Sequence, residues 1–189
     1  MNALDIIRHF YPEDTPLRRL LLLHSSQVRD KALSILGNPE LDGLSVDIQI
    51  VNDGAMLHDI GIMKCDAPGI LCKGSEPYLL HGYLGAEMLR QYGAEQGCDM
   101  EPYARICERH TGAGLTREDI VAQQLPLPND REYVPQTLEE KLVCLADKFY
   151  SKSSPEKEKP LNRVRKSLSK FGPATMTRFD ELCELFKVK

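Results

Sequence analysis

The chain has no long apolar run. A run such as Leu20 to Leu23 is far too short to cross a bilayer, which excludes a helical membrane span. Its six cysteines (Cys65, Cys72, Cys98, Cys107, Cys144 and Cys183) form no CxxC pair and no zinc-finger spacing, so a Cys-rich structural zinc site is not expected. Ser25 and Ser26 sit in no Gly-x-Ser-x-Gly elbow, which excludes that type of serine hydrolase. Lys73-Gly74-Ser75 lacks the upstream glycine and the strand of a phosphate loop. There are no repeats and no convincing strand alternation. A formal net charge of -4 gives no general attraction to nucleic acid or membrane. The opening Met1-Asn2-Ala3-Leu4-Asp5 has no basic segment followed by an apolar one, so the expected location is cytoplasmic, with reduced thiols.

What remains is helical periodicity. At 189 residues the chain reads as one domain able to bury a sizeable core. A short helix over 3–10 places Leu4, Ile7 and Phe10 on one side and leaves His9 in solvent. Thr15-Pro16 is a start signal for a helix over 16–36, whose inward stripe is Leu17, Leu20, Leu21, His24, Val28, Ala32 and Ile35. A second long helix is predicted over 45–60, with Ile48, Val51, Ala55 and His58 in line and Gly61 as its stop. Breakers make 62–80 a loop of the kind that serves as a lid or substrate contact. Helices follow over 81–93, 100–110 and 116–124. Residues 125–136, rich in proline, cross the surface. Thr137-Leu138-Glu139-Glu140 has the pattern of a capping box, opening a helix with Leu138, Leu142, Leu145 and Phe149 inward. Ser151 to Pro160 reads as an exposed linker, and helices over 161–171 and 174–187 complete an all-α chain.

The polar residues on the inward stripes are the anomaly. His24, His58, His81 and His110 fall on or at the ends of apolar faces, and Asp59 and Asp147 border them. One such histidine is ordinarily a hydrogen-bonded core residue, and a charged aspartate is rarely buried without a partner. Six on five helices fit a metal site built from facing helices, where imidazole and carboxylate suit Fe, Mn, Ni, Co or Zn, with Mg admissible.

The order His24, His58-Asp59, Asp147 resembles the HD superfamily of metal-dependent phosphohydrolases, over roughly residues 17–152. His58-Asp59-Ile60-Gly61 is similar to the family's signature. His81-Gly82-Tyr83-Leu84-Gly85-Ala86-Glu87 and Arg109-His110-Thr111-Gly112 are similar to the segments that carry two further histidines in two-metal members. Ala146-Asp147-Lys148 resembles the closing aspartate segment. The resemblance implies an HD-domain helical bundle over 1–150, with a linker and C-terminal helices over 151–189 packing on or extending it. It implies one metal on His24, His58, Asp59 and Asp147, and a second on His81 and His110 with Asp59 bridging. The HD-type diadenosine tetraphosphatases look nearest among named relatives, while the HD-GYP cyclic-dinucleotide phosphodiesterases are less similar, because Leu84 stands where they carry proline.

The implied activity is hydrolysis of a phosphoester or phosphoanhydride, in a nucleotide or similar small phosphorylated metabolite, by metal-activated water. Asp59, Arg109 and Lys64 are the expected catalytic residues. Phosphate charge needs cationic donors, for which Arg109, Lys64, Lys148 and Lys152 are the candidates. Lys64 stands in for a lysine that often follows the family signature directly, where this chain has Ile62. The basic run Lys157, Lys159, Arg163, Arg165, Lys166 and Lys170 reads as a solvated helix face, so nucleic acid is not the expected partner. A homodimer stays open. Two other readings stand beside this one: an HD-like metal- or nucleotide-binding regulatory module with little turnover, and a hydrogen-bonded core without metal.

Overall fold

Side-chain caps set where most of the helices begin. Asn2, Thr15, Asp47, Thr116 and Thr137 each accept a hydrogen bond from a first-turn amide. They open α1 (Ala3–Phe10), α2 (Pro16–Leu36), α3 (Ile48–Leu57), α6 (Arg117–Ala122) and α7 (Leu138–Asp147). The remaining helices are α4 (His81–Gln96), α5 (Glu101–Arg109), α8 (Leu161–Leu168) and α9 (Pro173–Leu185). The computed structural model describes residues 2–155 and 157–189. No helix in it is long and apolar enough to cross a membrane.

The fold is all-α, as expected, with several boundaries shifted. α3 is shorter at both ends than the pattern over 45–60 suggests. Asp47 caps Gln49 and Ile50, fixing its start, and His58 is already its C-cap. Asp59 then leaves helical geometry, and Ile60–Lys64 forms a 3-10 turn. α4 continues past Gly93 and ends where Gly97 takes a left-handed conformation at φ 67. The buried side of α1 is Ala3, Ile6 and Ile7, not the stripe beginning at Leu4, which is exposed.

The capping box at Thr137 is only half made. Thr137 accepts from the Glu140 amide, but the Glu140 carboxylate accepts from the Gln136 amide and from Arg109. The full reciprocal box is at Thr116 and Asp119. Within the expected loop 62–80, three very short strands, Cys65–Ala67, Cys72–Lys73 and Glu76–Pro77, form a small sheet with the first in the centre. It is antiparallel to the second and parallel to the third.

Two large apolar clusters make most of the core, beside a small one of Ile120, Leu127 and Tyr133. One gathers Leu21, Leu57, Ile60, Leu89 and Cys107 under α1 and α4. The other gathers Val28, Ala55, Val143 and Ala146 with Val164, Phe179, Leu182 and Phe186, so α8 and α9 share a core with α2, α3 and α7. Along α2, Leu21 belongs to the first cluster and Val28 to the second, with His24 between them.

Glycines let backbones touch where the two halves meet. A Cβ on Gly61 would lie 2.2 Å from the His81 carbonyl oxygen and 2.4 Å from the Gly85 amide nitrogen. A Cβ on Gly82 would lie 2.4 Å from the Cys107 carbonyl oxygen. Both approaches press α4 against the turn after Asp59 and against α5. Gly61→Ala therefore pushes two backbones apart, at a cost of about 3 kcal/mol. For a chain of this size that lowers Tm by roughly 6–12 °C in a calorimetric scan. Gly69→Ala, whose Cβ would meet nothing within 4 Å, is the control and shifts Tm by about 2 °C at most.

Candidate metal centre

Asp59 is fully buried and lies between two groups of imidazoles. Its Oδ2 is 3.3 Å from His24 Nε2 and 3.1 Å from His58 Nε2. Asp147 Oδ1 closes that side, 3.0 Å from His24 Nε2 and 3.5 Å from His58 Nε2. On the other side, Asp59 Oδ1 is 3.3 Å from His81 Nε2 and 3.5 Å from His110 Nε2, and those two nitrogens are 3.0 Å apart. Five separate stretches thus deliver six donors to one centre, with Asp59 shared by both halves.

The local backbone fixes which imidazole nitrogen faces inward. His58, His81 and His110 each donate Nδ1–H to the carbonyl three residues earlier, on Ala55, Tyr78 and Cys107, at 2.7 Å in every case. A carbonyl can only accept, so Nδ1 carries the proton and Nε2 is left to the centre. In their neutral forms His81 and His110 then point lone pair at lone pair across 3.0 Å, which is repulsive unless a metal ion or a proton lies between them. His58 Nε2 and both Asp59 oxygens are buried without a hydrogen bond of acceptable direction, although neighbours are close. Lys152 Nζ lies 2.6 Å from Asp59 Oδ2 as an ionic contact that lacks that alignment. Orphaned buried acceptors of this kind are costly in a finished protein interior and are suited to a metal.

The spacing fits as well. Donors about 2.1 Å from one ion, at octahedral to tetrahedral angles, lie roughly 3.0–3.4 Å from one another. The separations above run from 3.0 to 3.5 Å on both sides of Asp59. His24, His58 and Asp147, and also His58, Asp59 and His110, lie close enough together to hold an ion. The clusters can therefore bind a divalent metal, and the donor chemistry, imidazole and carboxylate without thiolate, is that of a transition metal.

Charge in the centre is strongly coupled. Burial opposes ionisation of Asp59, but His58, Lys152 and the surrounding imidazoles outweigh it and hold the carboxyl well below the usual range. Asp147 behaves alike, with Lys148 its main cationic neighbour. Burial also works against charging His58, yet Asp59 and Asp147 push its pKa up to about 9. Burial, with His58 and His81 nearby, pulls His110 down to about 4.

The structure separates the four expected phosphate donors. Lys148 Nζ donates to Asp147 Oδ2 at 2.7 Å and to the His110 carbonyl at 2.9 Å. Lys152 enters the centre itself, so Ser151 to Pro160 is not simply an exposed linker. Arg109 and Lys64 are not brought there. Arg109 pairs with Glu140 at 2.9 Å, a buried carboxylate on α7 that captures the nearest guanidinium. Lys64 stays exposed on the 3-10 turn, where its carbonyl accepts from Ser75. Tyr11 escaped the sequence reading: its hydroxyl donates to the Ile60 carbonyl at 2.7 Å and accepts from the Met63 amide at 3.2 Å, pinning the turn after Asp59. A tyrosine after a short helix carries no pattern that reveals this.

The family described as HD domain matches residues 21–151. This chain belongs to the HD-domain family. An uncharacterized protein of Methanocaldococcus jannaschii is 31% identical over 174 residues, 92% of this chain and 88% of that protein. A tRNA (cytidine(56)-2'-O)-methyltransferase of Picrophilus torridus is 39% identical over 110 residues, 58% of this chain and 27% of the relative. The enzyme of that name from Thermoplasma volcanium is 33% identical over 150 residues, 79% of this chain and 36% of the relative. The chain thus spans about a third or less of these methyltransferases. The relatives found are these, not diadenosine tetraphosphatases, which corrects the finer resemblance drawn from the sequence. No solved structure matches the chain.

Elemental analysis of protein purified without chelator is expected to find about one to two transition-metal ions per chain. Because Asp59 serves both halves, Asp59→Ala should empty both, whereas His81→Ala should spare the half built on His24, His58 and Asp147. Equal metal content in all three proteins would remove the centre.

Proposed function

We propose that the chain is a metal-dependent phosphohydrolase acting on a phosphoester or phosphoanhydride of a nucleotide or similar small phosphorylated metabolite. The observation that carries the reading is Asp59, one carboxylate shared between two sets of imidazoles at ligand spacing. HD domains are typical of metal-dependent phosphohydrolases, which supports the same class.

A bound divalent ion, or a pair, supplies water acidic enough to attack near neutral pH and neutralises phosphate oxygens. The protein's own residues provide the rest. His58, His81 and His110 are held rigid by their backbone carbonyls, so their nitrogens need no reorganisation. Asp59 is shared by both halves and, in this reading, would orient the attacking water. Lys148, fixed between Asp147 and the His110 carbonyl, and Lys152 place positive charge beside the centre, where a phosphoryl group gathers negative charge. Tyr78, stacked on His81 at 4.6 Å, shields that imidazole from water.

A second reading is a metal- or nucleotide-binding module with little turnover. One observation favours it: two relatives are named for methyl transfer to tRNA, and this chain matches only a minor part of each.

The two readings part on turnover. Protein loaded with Mn, Fe, Co or Mg, screened against nucleotides, dinucleoside polyphosphates and sugar phosphates, is expected to release phosphate from at least one class. Chelation should abolish release and metal return should restore it. Asp59→Ala should lower kcat by about a thousandfold or more, equivalent to about 4 kcal/mol of barrier. Metal-loaded protein inert to every class would favour the binding module.

A further inference from the structure

A cavity of about 300 Å³ opens beside the metal centre, between Asp147 and α8. Among the described residues, its lining holds one carboxylate, Asp147, and three lysines, Lys148, Lys152 and Lys159. Lys148 and Lys152 contact Asp147 and Asp59, and Lys159 lines the same cavity without an ion pair to either among the described residues. Lys159 is anchored through its backbone, whose amide donates to the Phe149 carbonyl at 2.7 Å. Burial makes its ammonium easier to deprotonate than usual; Asp147 opposes this, and the charges of Lys148 and Lys152 add to it.

A cation held by Asp59 would compete with Lys152 for that carboxylate, which adds to the positive charge that the three lysines bring to the cavity. A phosphate at the centre would meet Lys148 and Lys152, the lysines that contact Asp147 and Asp59. The remaining polar lining suits the same ligand. Ser151 and Ser153 border the cavity, their hydroxyls bonded to each other at 3.0 Å, which leaves one hydroxyl proton to donate to an anionic oxygen, whereas the Ser167 hydroxyl donates to the Arg163 carbonyl. A nucleobase is less well served, because the Tyr78 ring lies stacked on His81, with planes 13° apart.

We propose that this cavity binds a second, non-reacting phosphate group of the substrate, with Lys159 as the residue that selects for it. The inference rests on the phosphohydrolase reading for the word substrate. As an anion subsite it stands on the cavity alone. The substrate class narrows to molecules carrying two phosphates close together, such as a nucleoside diphosphate or a polyphosphate.

The test uses metal-loaded full-length protein and two non-hydrolysable probes, methylenediphosphonate and methylphosphonate. Binding is measured by titration calorimetry, with metal retention checked by elemental analysis. The diphosphonate is expected to bind at least about tenfold more tightly, the scale of one added charge-assisted contact. Lys159→Met should bring the two probes to within about threefold of each other and leave methylphosphonate unchanged. Lys159→Arg should keep the preference, showing that charge is what matters. Equal binding of the probes by the native protein, or a preference that survives Lys159→Met, overturns the proposal. A Lys159-dependent preference in protein that hydrolyses no phosphoester would uphold the anion subsite while rejecting the phosphohydrolase reading.

Discussion

A carboxylate sealed from water costs several kcal/mol of lost hydration unless positive charge or strong donors surround it. Asp59 is such a group, and much of the rest of the chain is arranged to meet its demand. Four imidazole nitrogens and one ammonium lie within 3.5 Å of its two oxygens. They come from α2, α4, the residues that follow α3 and α5, and the segment after α7, so the carboxylate ties remote parts of the sequence to one point. Three of the imidazoles cannot donate to it, because their protons are committed to backbone carbonyls. Those nitrogens serve Asp59 only through a shared cation or by taking up a proton themselves. The geometry is thus poorly satisfied by the protein alone and well satisfied by a divalent ion.

Backbone contact makes this arrangement reachable. His81 opens α4 one residue before Gly82 and four before Gly85, and those glycines are where α4 touches α5 and the turn after Asp59. Any larger residue at Gly61 or Gly82 would hold the elements apart by more than the few tenths of an ångström that separate a ligand set from a hydrogen-bonded cluster. Tyr11 works to the same end by bridging the Ile60 carbonyl and the Met63 amide, so the turn that carries Asp59 is held from α1 as well.

The six donors are legible in the sequence because they violate its own periodicity: histidine and aspartate stand where helical spacing calls for apolar side chains. The all-α fold is legible for the complementary reason, since caps such as Thr15 and Thr116 precede amphipathic runs. The cationic partners follow no such rule. Arg109 adjoins a donor in sequence, but on a helix that neighbour points about 100° away, and Glu140 lies in that direction. Lys152 sits in a charged, irregular stretch with no period to read, yet folds back onto Asp59. Which lysine enters a site depends on where a non-helical segment turns, and that is decided by contacts such as the one between the Lys159 amide and the Phe149 carbonyl. The small sheet within 62–80 is hidden similarly, because strands of two or three residues are too short to show alternation.

The division between donors and lysines also bears on how members of this family differ. The donor set is constrained by distances of 3.0–3.5 Å among seven atoms of six residues, which leaves almost no freedom in residue type. The cavity wall answers only to the charge and size of what enters it. The segment that supplies Lys152 and Lys159 begins where the match to the HD domain, residues 21–151, ends, and α8 then closes the far side. The six site residues thus lie within the part that matches the HD domain, while Lys152 and Lys159 of the cavity wall lie just beyond it. Val164, Phe179 and Phe186 share the core of Val28, Ala55 and Val143, so α8 and α9 are packed on the same helices that carry His24, His58 and Asp147.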